Sequence, residues 1–374
     1  MSRRSFAAVL ACAFVLGLVH SPGHGTAGAA EAGALRSVRL IGEQTLPHRL
    51  DFQGTTVGGL SSIDYDPRTG EYVLISDDRS QLQSARFYTA RLDVGTHELG
   101  EVRLTGTHTF TGADGAAYPA GSVDPEELRV DPFSGRYYWS QEGERTTDVL
   151  LDPSVREARR DGRYVRDLPI PDNSRMTEDA GPRRNLGPEG LTFAASGALV
   201  TSAMEGPLLQ DGPEADTTRG ALSRITVQGR RGPVLAQYAY PMEPVFAEPV
   251  PADGFATTGV SSILAENALD PTRYLVMERS FVEGVGNRIR IYRIDTSGGT
   301  NVRHADSLGD VDRLRPVRKR LLLDLADLGL TTVDNVEGMT WGPRLPTGER
   351  TLLLVSDDNF SPSQVTQFVA LALR

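Results

Sequence analysis

The chain has 374 residues, with 49 acidic and 39 basic side chains, a formal net charge of −10 and one cysteine, Cys12. This acidic balance argues against nucleic acid or an anionic membrane surface as a partner. A single cysteine excludes an intramolecular disulfide framework and a thiolate metal site.

The first 30 residues have the features of an export signal. Two arginines, Arg3 and Arg4, precede an apolar stretch from residue 6 to 19, and small residues follow near Ala30. The segment Ser-Arg-Arg-Ser-Phe fits a twin-arginine signal as well as an ordinary one, and both alternatives stay open. Cys12 lies inside the apolar stretch, so free secretion is preferred to a lipoprotein. We therefore predict a signal peptide over residues 1–30, a secreted mature protein of formal charge −12, and no membrane insertion after cleavage.

A strand-like segment, "LRSVRLIGEQTLP" at residues 35–47, comes next and is followed by five similar hairpins. The hairpins occupy residues 58–79, 124–144, 187–206, 258–280 and 336–360. Aligning Leu60, Leu128, Leu191, Val260 and Met339 gives repeat intervals of 63 to 79 residues. Turn sequences such as Asp-Pro-Arg-Thr-Gly at residues 66–70 support the hairpin interpretation. An internal repeat of this kind decides the fold class.

Each hairpin is followed by two more strand-like runs, except in the last unit, where only "TQFVALALR" follows. The sequence therefore predicts an all-β fold, a β-propeller of four-stranded blades, with the N-terminal segment supplying the missing strand and closing the ring. Five blades are visible, and a sixth stays open if a long loop contains a degenerate unit. A tandem array of β-sandwiches is the alternative, but no linkers separate such units between residues 35 and 374. We expect residues 31–374 to form one domain and the protein to be a monomer.

Carboxylates bracket these hairpins. The leading position holds Glu126, Glu189 and Glu337, with Gly58 and Thr258 in the other two units. The trailing position holds Asp78, Glu142, Glu205, Glu278 and Asp358. Because the start of one antiparallel strand lies beside the end of the next, we expect both sets at one mouth of the central channel. Converging carboxylates favour a hard cation, Ca²⁺ before Mg²⁺. In the alternative interpretation, the acids only bind backbone N–H groups or water at the blade corners.

Other catalytic signatures are missing from the sequence. There is no Gly-x-Ser-x-Gly elbow for a serine hydrolase and no His-Glu-x-x-His zinc motif. The carboxylates are therefore the best candidates for chemistry.

The segments "PEGLTF", "NVEGMTW" and "LVSDDNF", in this order, resemble the phytase-like family of secreted bacterial proteins described as having esterase-like activity of phytase. The resemblance covers nearly the whole mature chain. It implies a propeller related to calcium-dependent alkaline phytases, which hydrolyse phosphomonoesters through a metal-activated water. It also makes Glu189, Glu337, Asp357 and Asp358 the first candidates for metal ligands.

Three functions remain in consideration: a calcium-dependent phosphomonoesterase, a calcium-dependent lactonase or carboxylic-ester hydrolase, and a non-catalytic binding propeller. For either hydrolase we expect a small-molecule ester substrate. Glu189 and Glu337 are the predicted catalytic residues, since each is followed by a glycine that permits close backbone approach. Arg79 and Arg279, which follow trailing acids, are the predicted substrate-binding residues. The predicted metal ligands are Glu126, Glu189, Glu337, Asp357, Asp358 and Asp78.

Overall fold

Five antiparallel sheets of four strands each form the framework of residues 37–374, the part of the chain that this computed structural model describes. The signal peptide predicted over residues 1–30 lies outside these residues. Short runs rich in β-branched and aromatic residues form the strands, and turns with Gly, Pro and Asp separate them.

The strands, in chain order, are β1 (Val38–Thr45), β2 (Asp51–Phe52), β3 (Thr55–Thr56), β4 (Leu60–Asp66), β5 (Glu71–Ser76), β6 (Arg86–Val94), β7 (Leu99–Thr109), β8 (Pro125–Val130), β9 (Tyr137–Gln141), β10 (Glu144–Arg145), β11 (Leu150–Leu151), β12 (Ser154–Ala158), β13 (Tyr164–Asp167), β14 (Pro188–Ala194), β15 (Leu199–Met204), β16 (Leu222–Gly229), β17 (Val234–Pro241), β18 (Ala256–Ala265), β19 (Arg273–Val282), β20 (Gly286–Asp295), β21 (Arg318–Asp324), β22 (Val336–Trp341), β23 (Arg350–Ser356) and β24 (Gln367–Leu373). The helical segments of the described residues are short 3₁₀ turns at Asp172–Ser174, Ala195–Gly197, Leu209–Asp211, Leu308–Asp310 and Leu325–Leu328. Within residues 37–374, no helix has the length and apolar character needed to cross a membrane.

Each four-stranded sheet is one blade. From the axis outwards, the strand orders are β4-β5-β6-β7 in blade I, β8-β9-β12-β13 in blade II, β14-β15-β16-β17 in blade III, β18-β19-β20-β21 in blade IV and β22-β23-β24-β1 in blade V. The innermost strands contact their neighbours around a ring, so the predicted propeller is confirmed with five blades. The remaining pairs, β2-β3 and β10-β11, form small ribbons, and residues 37–374 contain no sixth blade.

Strand β1 closes the ring. It pairs antiparallel with β24, from Val38 opposite Leu373 to Thr45 opposite Gln367. The first strand of the described chain thus completes the last blade, as the sequence predicts.

The core lies between neighbouring blades. One apolar cluster joins blades I and V through residues such as Ile63 and Val355. Similar clusters lie between blades I and II, between blades II and III, and between blades III and IV. Every residue of β24 is buried. This burial on both faces explains the nearly continuous apolar sequence "FVALAL" in place of an alternating pattern.

Arg129 of β8 lies across the axis. Its buried guanidinium donates to the carbonyl oxygens of Leu191 over 2.6 Å and Ile63 over 3.0 Å, and contacts Glu127 at 3.1 Å. It thereby ties together innermost strands of three blades. We infer that this arginine separates the two ends of the channel.

Candidate functional site

A β-bulge near the start of each innermost strand aims one side chain at the mouth of the channel. The register between the first and second strands shifts at the same place in all five blades. Bulges are known to re-aim side chains beside functional sites. The extra residues, which we call the bulge ring, are Ser61, Glu126, Glu189, Ser261 and Glu337.

A second ring faces the bulge ring from the ends of the second strands. In four blades, the residue that directly follows the second strand donates its backbone N–H to a carbonyl oxygen on the first strand's side, over 2.6 to 3.1 Å. That carbonyl belongs to the residue two positions before the bulge residue. In blade IV, Arg279 pairs with Gly259 at the equivalent place. The members of this trailing ring are Asp77, Glu142, Glu205, Arg279 and Asp357. We call the two rings, with Asp124 and Arg79, the acidic mouth.

Two arginines and one asparagine brace the acidic mouth. The Arg279 guanidinium lies 2.8 Å from Glu205 and 3.4 Å from Glu337. Asn335 donates from its side-chain amide to Glu337 over 3.0 Å and to Asp357 over 3.2 Å. On the other side, Arg79 contacts Asp124 at 2.5 Å. These contacts fix the carboxylates in place without neutralising all of them.

The acidic mouth carries far more negative than positive charge. Its eight carboxylates, of which seven are buried and Asp77 is partly exposed, and its two guanidinium groups leave a formal charge of −6 when all are ionised. Burial is the largest cause in every case and raises the pKa of Asp77, Asp124, Glu126, Glu142, Glu189, Glu205, Glu337 and Asp357. The raised pKa is about 6 for Asp124 and about 7 for Glu205, where Arg79 and Arg279 partly offset burial. Such a cluster needs protons or cations to be stable.

Two overlapping groups of three carboxylates have the spacing of a cation site. Asp124, Glu126 and Glu142 form one group, and Glu142, Glu189 and Glu205 form the other. Within each group, one oxygen per residue lies within 4.8 Å of the others. An all-oxygen donor set suits a hard divalent cation, and a flexible set of carboxylates suits Ca²⁺ better than Mg²⁺. Glu142 belongs to both groups, so it can bridge two ions.

The structure brings most of the sequence-predicted residues to this mouth. Those at the acidic mouth are Glu126, Glu189, Glu337, Asp357, Arg79 and Arg279. Their roles as ligands, catalysts or substrate contacts remain predictions.

Asp78 and Asp358 require a correction, because their side chains are engaged elsewhere. Asp78 accepts the Arg86 guanidinium at 2.7 Å and the backbone N–H groups of residues 81, 82 and 83. Burial opposes its ionisation, but these hydrogen bonds hold the pKa of Asp78 below its usual value. Asp358 accepts from the backbone N–H of Gly59 over 2.9 Å with Oδ1, while its buried Oδ2 has no hydrogen-bond partner among the described residues. Side chains alternate along an extended chain, so a shift of one residue puts Asp77 and Asp357 at the mouth instead.

The expected trailing position of blade IV is also wrong. Glu278 accepts hydrogen bonds from Tyr240 at 2.7 Å and Lys319 at 2.5 Å, among the outer strands of its own blade and blade III. Arg279 takes the mouth position in its place. Glu278 and Asp78 thus follow the alternative interpretation, in which the acid only accepts hydrogen bonds from neighbouring groups of the fold.

Sequence reasoning also misaligned the leading position in blades I and IV. Ser61 and Ser261, not Gly58 and Thr258, occupy the bulge. Ser61 donates its hydroxyl to the Glu126 carbonyl of the next blade over 2.7 Å. Asp77 and Asp124 were missed altogether. Counting two residues back from the bulge gives Asp124 in blade II, and the residue opposite that position in blade I is Asp77.

The sequence profile of the family described as "Phytase-like: Esterase-like activity of phytase" matches residues 55–360. No curated protein matches the sequence.

Among solved structures, the chain is similar in shape to a periplasmic gluconolactonase of Pseudomonas aeruginosa, with 11% identity, a TM-score of 0.36, and coverage of 86% of this chain and 89% of the other. It is also similar to a GH43 β-1,3-galactosidase, with 9% identity, a TM-score of 0.46, and coverage of 88% and 94%. An exo-β-1,3-galactanase from Phanerochaete chrysosporium gives 8% identity, a TM-score of 0.40, and coverage of 89% and 64%. These are likenesses of shape, and none assigns an activity.

Proposed function

Because the chain belongs to the phytase-like family, described as having the esterase-like activity of phytase, we propose that it is a calcium-dependent hydrolase of phosphomonoesters or related esters. The observation that carries this proposal is the acidic mouth, where eight carboxylates, seven of them buried, lie with two arginines. The proposal includes export by the N-terminal signal, action as a monomer and a small-molecule substrate.

Calcium at the two carboxylate groups would neutralise their charge and polarise an ester or phosphoryl oxygen. Glu126, Glu142, Glu189 and Glu205, with Asp124, are the residues that would hold it. Glu337 lies outside both groups and is oriented by Asn335 and Arg279. Burial raises the pKa of Glu337, which suits a group that accepts a proton from an attacking water.

Arg279 and Arg79 would position the substrate. Each guanidinium already lies against carboxylates of the mouth, and arginine forks bind phosphate oxygens in pairs. Cations at the carboxylates would take up part of the negative charge that these arginines now face, and would leave the guanidinium groups more available to an anionic substrate.

A second candidate function is hydrolysis of a neutral carboxylic ester or lactone. It is favoured by the formal charge of −6, since a substrate with several phosphates would be repelled more strongly than a neutral one. A binding propeller is the weaker alternative, because the aromatic residues Tyr137, Tyr138 and Trp139 are buried in β9 rather than exposed at the mouth.

The test measures hydrolysis of an aryl phosphate, an aryl acetate and an aryl lactone by the mature protein, with calcium and with a chelator. We expect calcium-dependent turnover of at least one ester. Arg279→Gln should reduce aryl phosphate turnover more than aryl acetate turnover if the phosphate is the substrate group. Equal loss on both substrates would favour the neutral ester, and no turnover of any ester would contradict hydrolase function.

A further inference from the structure

A pocket with a volume of about 780 Å³ opens at the end of the axis opposite the acidic mouth. Turns that follow the innermost strands of all five blades form its walls, and we call it the distal pocket. Tyr65, Phe193, Leu264 and Trp341 supply apolar surface. Arg129 lies between this pocket and the acidic mouth. The volume is that of a typical small-molecule site.

The distal pocket has an excess of positive charge. Arg344 and Arg350 line it, and within residues 37–374 neither has a carboxylate at ion-pair distance. Glu266, a carboxylate in the same wall, lies 2.7 Å from the Arg293 guanidinium, and its Oε2 has no hydrogen-bond partner among the described residues. The other acid of the lining, Asp64, accepts from the Thr340 hydroxyl and the Val130 N–H, each over 2.7 Å.

Arg350 is held in place by stacking. Its guanidinium carbon lies 3.4 Å from the centroid of the Trp341 ring, and the Trp341 indole N–H donates to the Ala265 carbonyl over 2.9 Å. Among the described residues, the Arg350 guanidinium donates no hydrogen bond. Stacking on an aromatic face leaves the edge donors of a guanidinium available for an anion.

Burial and the neighbouring Arg344 lower the pKa of Arg350 to about 10, so the group is still charged at neutral pH. An anion beside it would offset both effects. Arg350 is a partly buried cation with no ion-pair partner among the described residues, and it shares a concave pocket with the exposed Arg344 and with aromatic walls. This combination is typical of sites for anionic ligands.

We propose that the distal pocket binds a small organic anion, in which a carboxylate or phosphate is attached to a flat apolar group. Its oxygens contact Arg350 and Arg344, and its apolar part packs against Tyr65 and Phe193. This site is independent of the hydrolase proposal, since its residues and charge differ from those of the acidic mouth.

Tryptophan fluorescence provides a direct test. The chain has two tryptophans, of which Trp341 lines the distal pocket and Trp139 is buried against Phe110. Benzoate, phenyl phosphate and inorganic phosphate are each titrated to about 10 mM in the presence of a chelator. We expect benzoate or phenyl phosphate to change the Trp341 emission, with inorganic phosphate binding more weakly. The stronger of the two organic probes identifies the preferred oxyanion.

Arg350→Gln should weaken binding about tenfold or more, because a charge-assisted hydrogen bond is lost. Arg313→Gln is the matched control, since Arg313 is exposed and distant in sequence from the pocket lining. Arg344→Gln, at an exposed position, gives a second variant if Arg350→Gln does not fold. Glu189→Gln should leave binding unchanged, which separates this site from the acidic mouth. The proposal is overturned if neither organic probe binds the folded wild type, or if both arginine variants bind as well as the wild type.

Discussion

The backbone N–H of Gly187 donates a 2.6 Å hydrogen bond to Oε1 of Glu142, across the boundary between blades II and III. Glu142 is the carboxylate shared by both candidate cation groups. A Cβ atom on Gly187 would lie 2.8 Å from both Cα and Cβ of Glu142. The approach of one blade to the next therefore depends on the absence of a side chain at this position, and it sets where the shared carboxylate lies.

Gly187→Ala should consequently destabilise the protein by about 1–3 kcal/mol, because the added methyl group meets Glu142 at a close contact. It should also weaken calcium binding, since Glu142 must move. Thermal melting and calorimetric calcium titration measure the two effects. Gly232→Ala is the control, because a Cβ there meets no atom within 4 Å. Equal melting temperatures for the two variants would show that the blade boundary tolerates the methyl group.

Calcium and pH should act together on stability. Burial raises the pKa of Asp124 to about 6 and of Glu205 to about 7, so the folded, metal-free protein binds more protons than the unfolded chain. Stability from these groups is then fully present below about pH 4 and is lost as pH rises through 6 and 7.

We therefore expect the melting temperature of chelator-treated protein to fall between pH 5 and pH 8. Added millimolar calcium should raise it, and the increase should be larger at pH 8, where protons no longer compete for the carboxylates. Melting curves that are identical with calcium and with chelator at both pH values would remove the calcium site.

Glu189→Gln and Glu337→Gln test the two predicted catalytic glutamates. Each change keeps the size of the side chain and removes one charge from a buried cluster of repelling carboxylates, so both variants should fold. Ester turnover should fall about a hundredfold or more if these residues bind the cation or move the proton. Calcium affinity should fall in Glu189→Gln, whose carboxylate belongs to a cation group, and less in Glu337→Gln.

The matched control for these variants is Glu98→Gln, at an exposed position between β6 and β7. It should have nearly wild-type turnover. Wild-type turnover in both mouth variants would remove the catalytic assignment, even if calcium still binds.

The fold could be predicted from the sequence because its signals are repeated and local. The hairpin recurs five times, in four cases with an Asp-Pro or Ser-Gly turn, and one strand lacks a place in any complete unit, which identifies β1 as the closing strand. The sequence was a poorer guide to which residues of each hairpin lie at the mouth of the channel. The bulge adds one residue to each innermost strand, and an alignment on apolar residues cannot place it in every blade.

That single residue decides which carboxylates meet. Asp77 and Asp78 are adjacent aspartates that the sequence alone does not distinguish. Because side chains alternate in direction along the strand, the position of the bulge directs Asp77 to the mouth and Asp78 to Arg86. Arg279 replaces a carboxylate in the trailing ring for the same reason. The distal pocket was not predicted, because its arginines come from turns and from β23, which no periodic pattern relates to one another.

The closing strand gives the last prediction. Strand β1 covers the outer edge of β24 along its length, and Arg39 adds an ion pair of 2.8 Å to Glu349. Deleting residues 31–47 from the mature protein should therefore expose the edge of β24, a strand in which every residue is buried. Open strand edges pair with other chains, so we expect a much lower melting temperature and oligomers in size-exclusion chromatography. Deleting only residues 31–36, which precede β1, should have little effect. A truncated 48–374 protein that stays monomeric and melts like the full mature chain would mean that β1 is not needed to hold the ring closed.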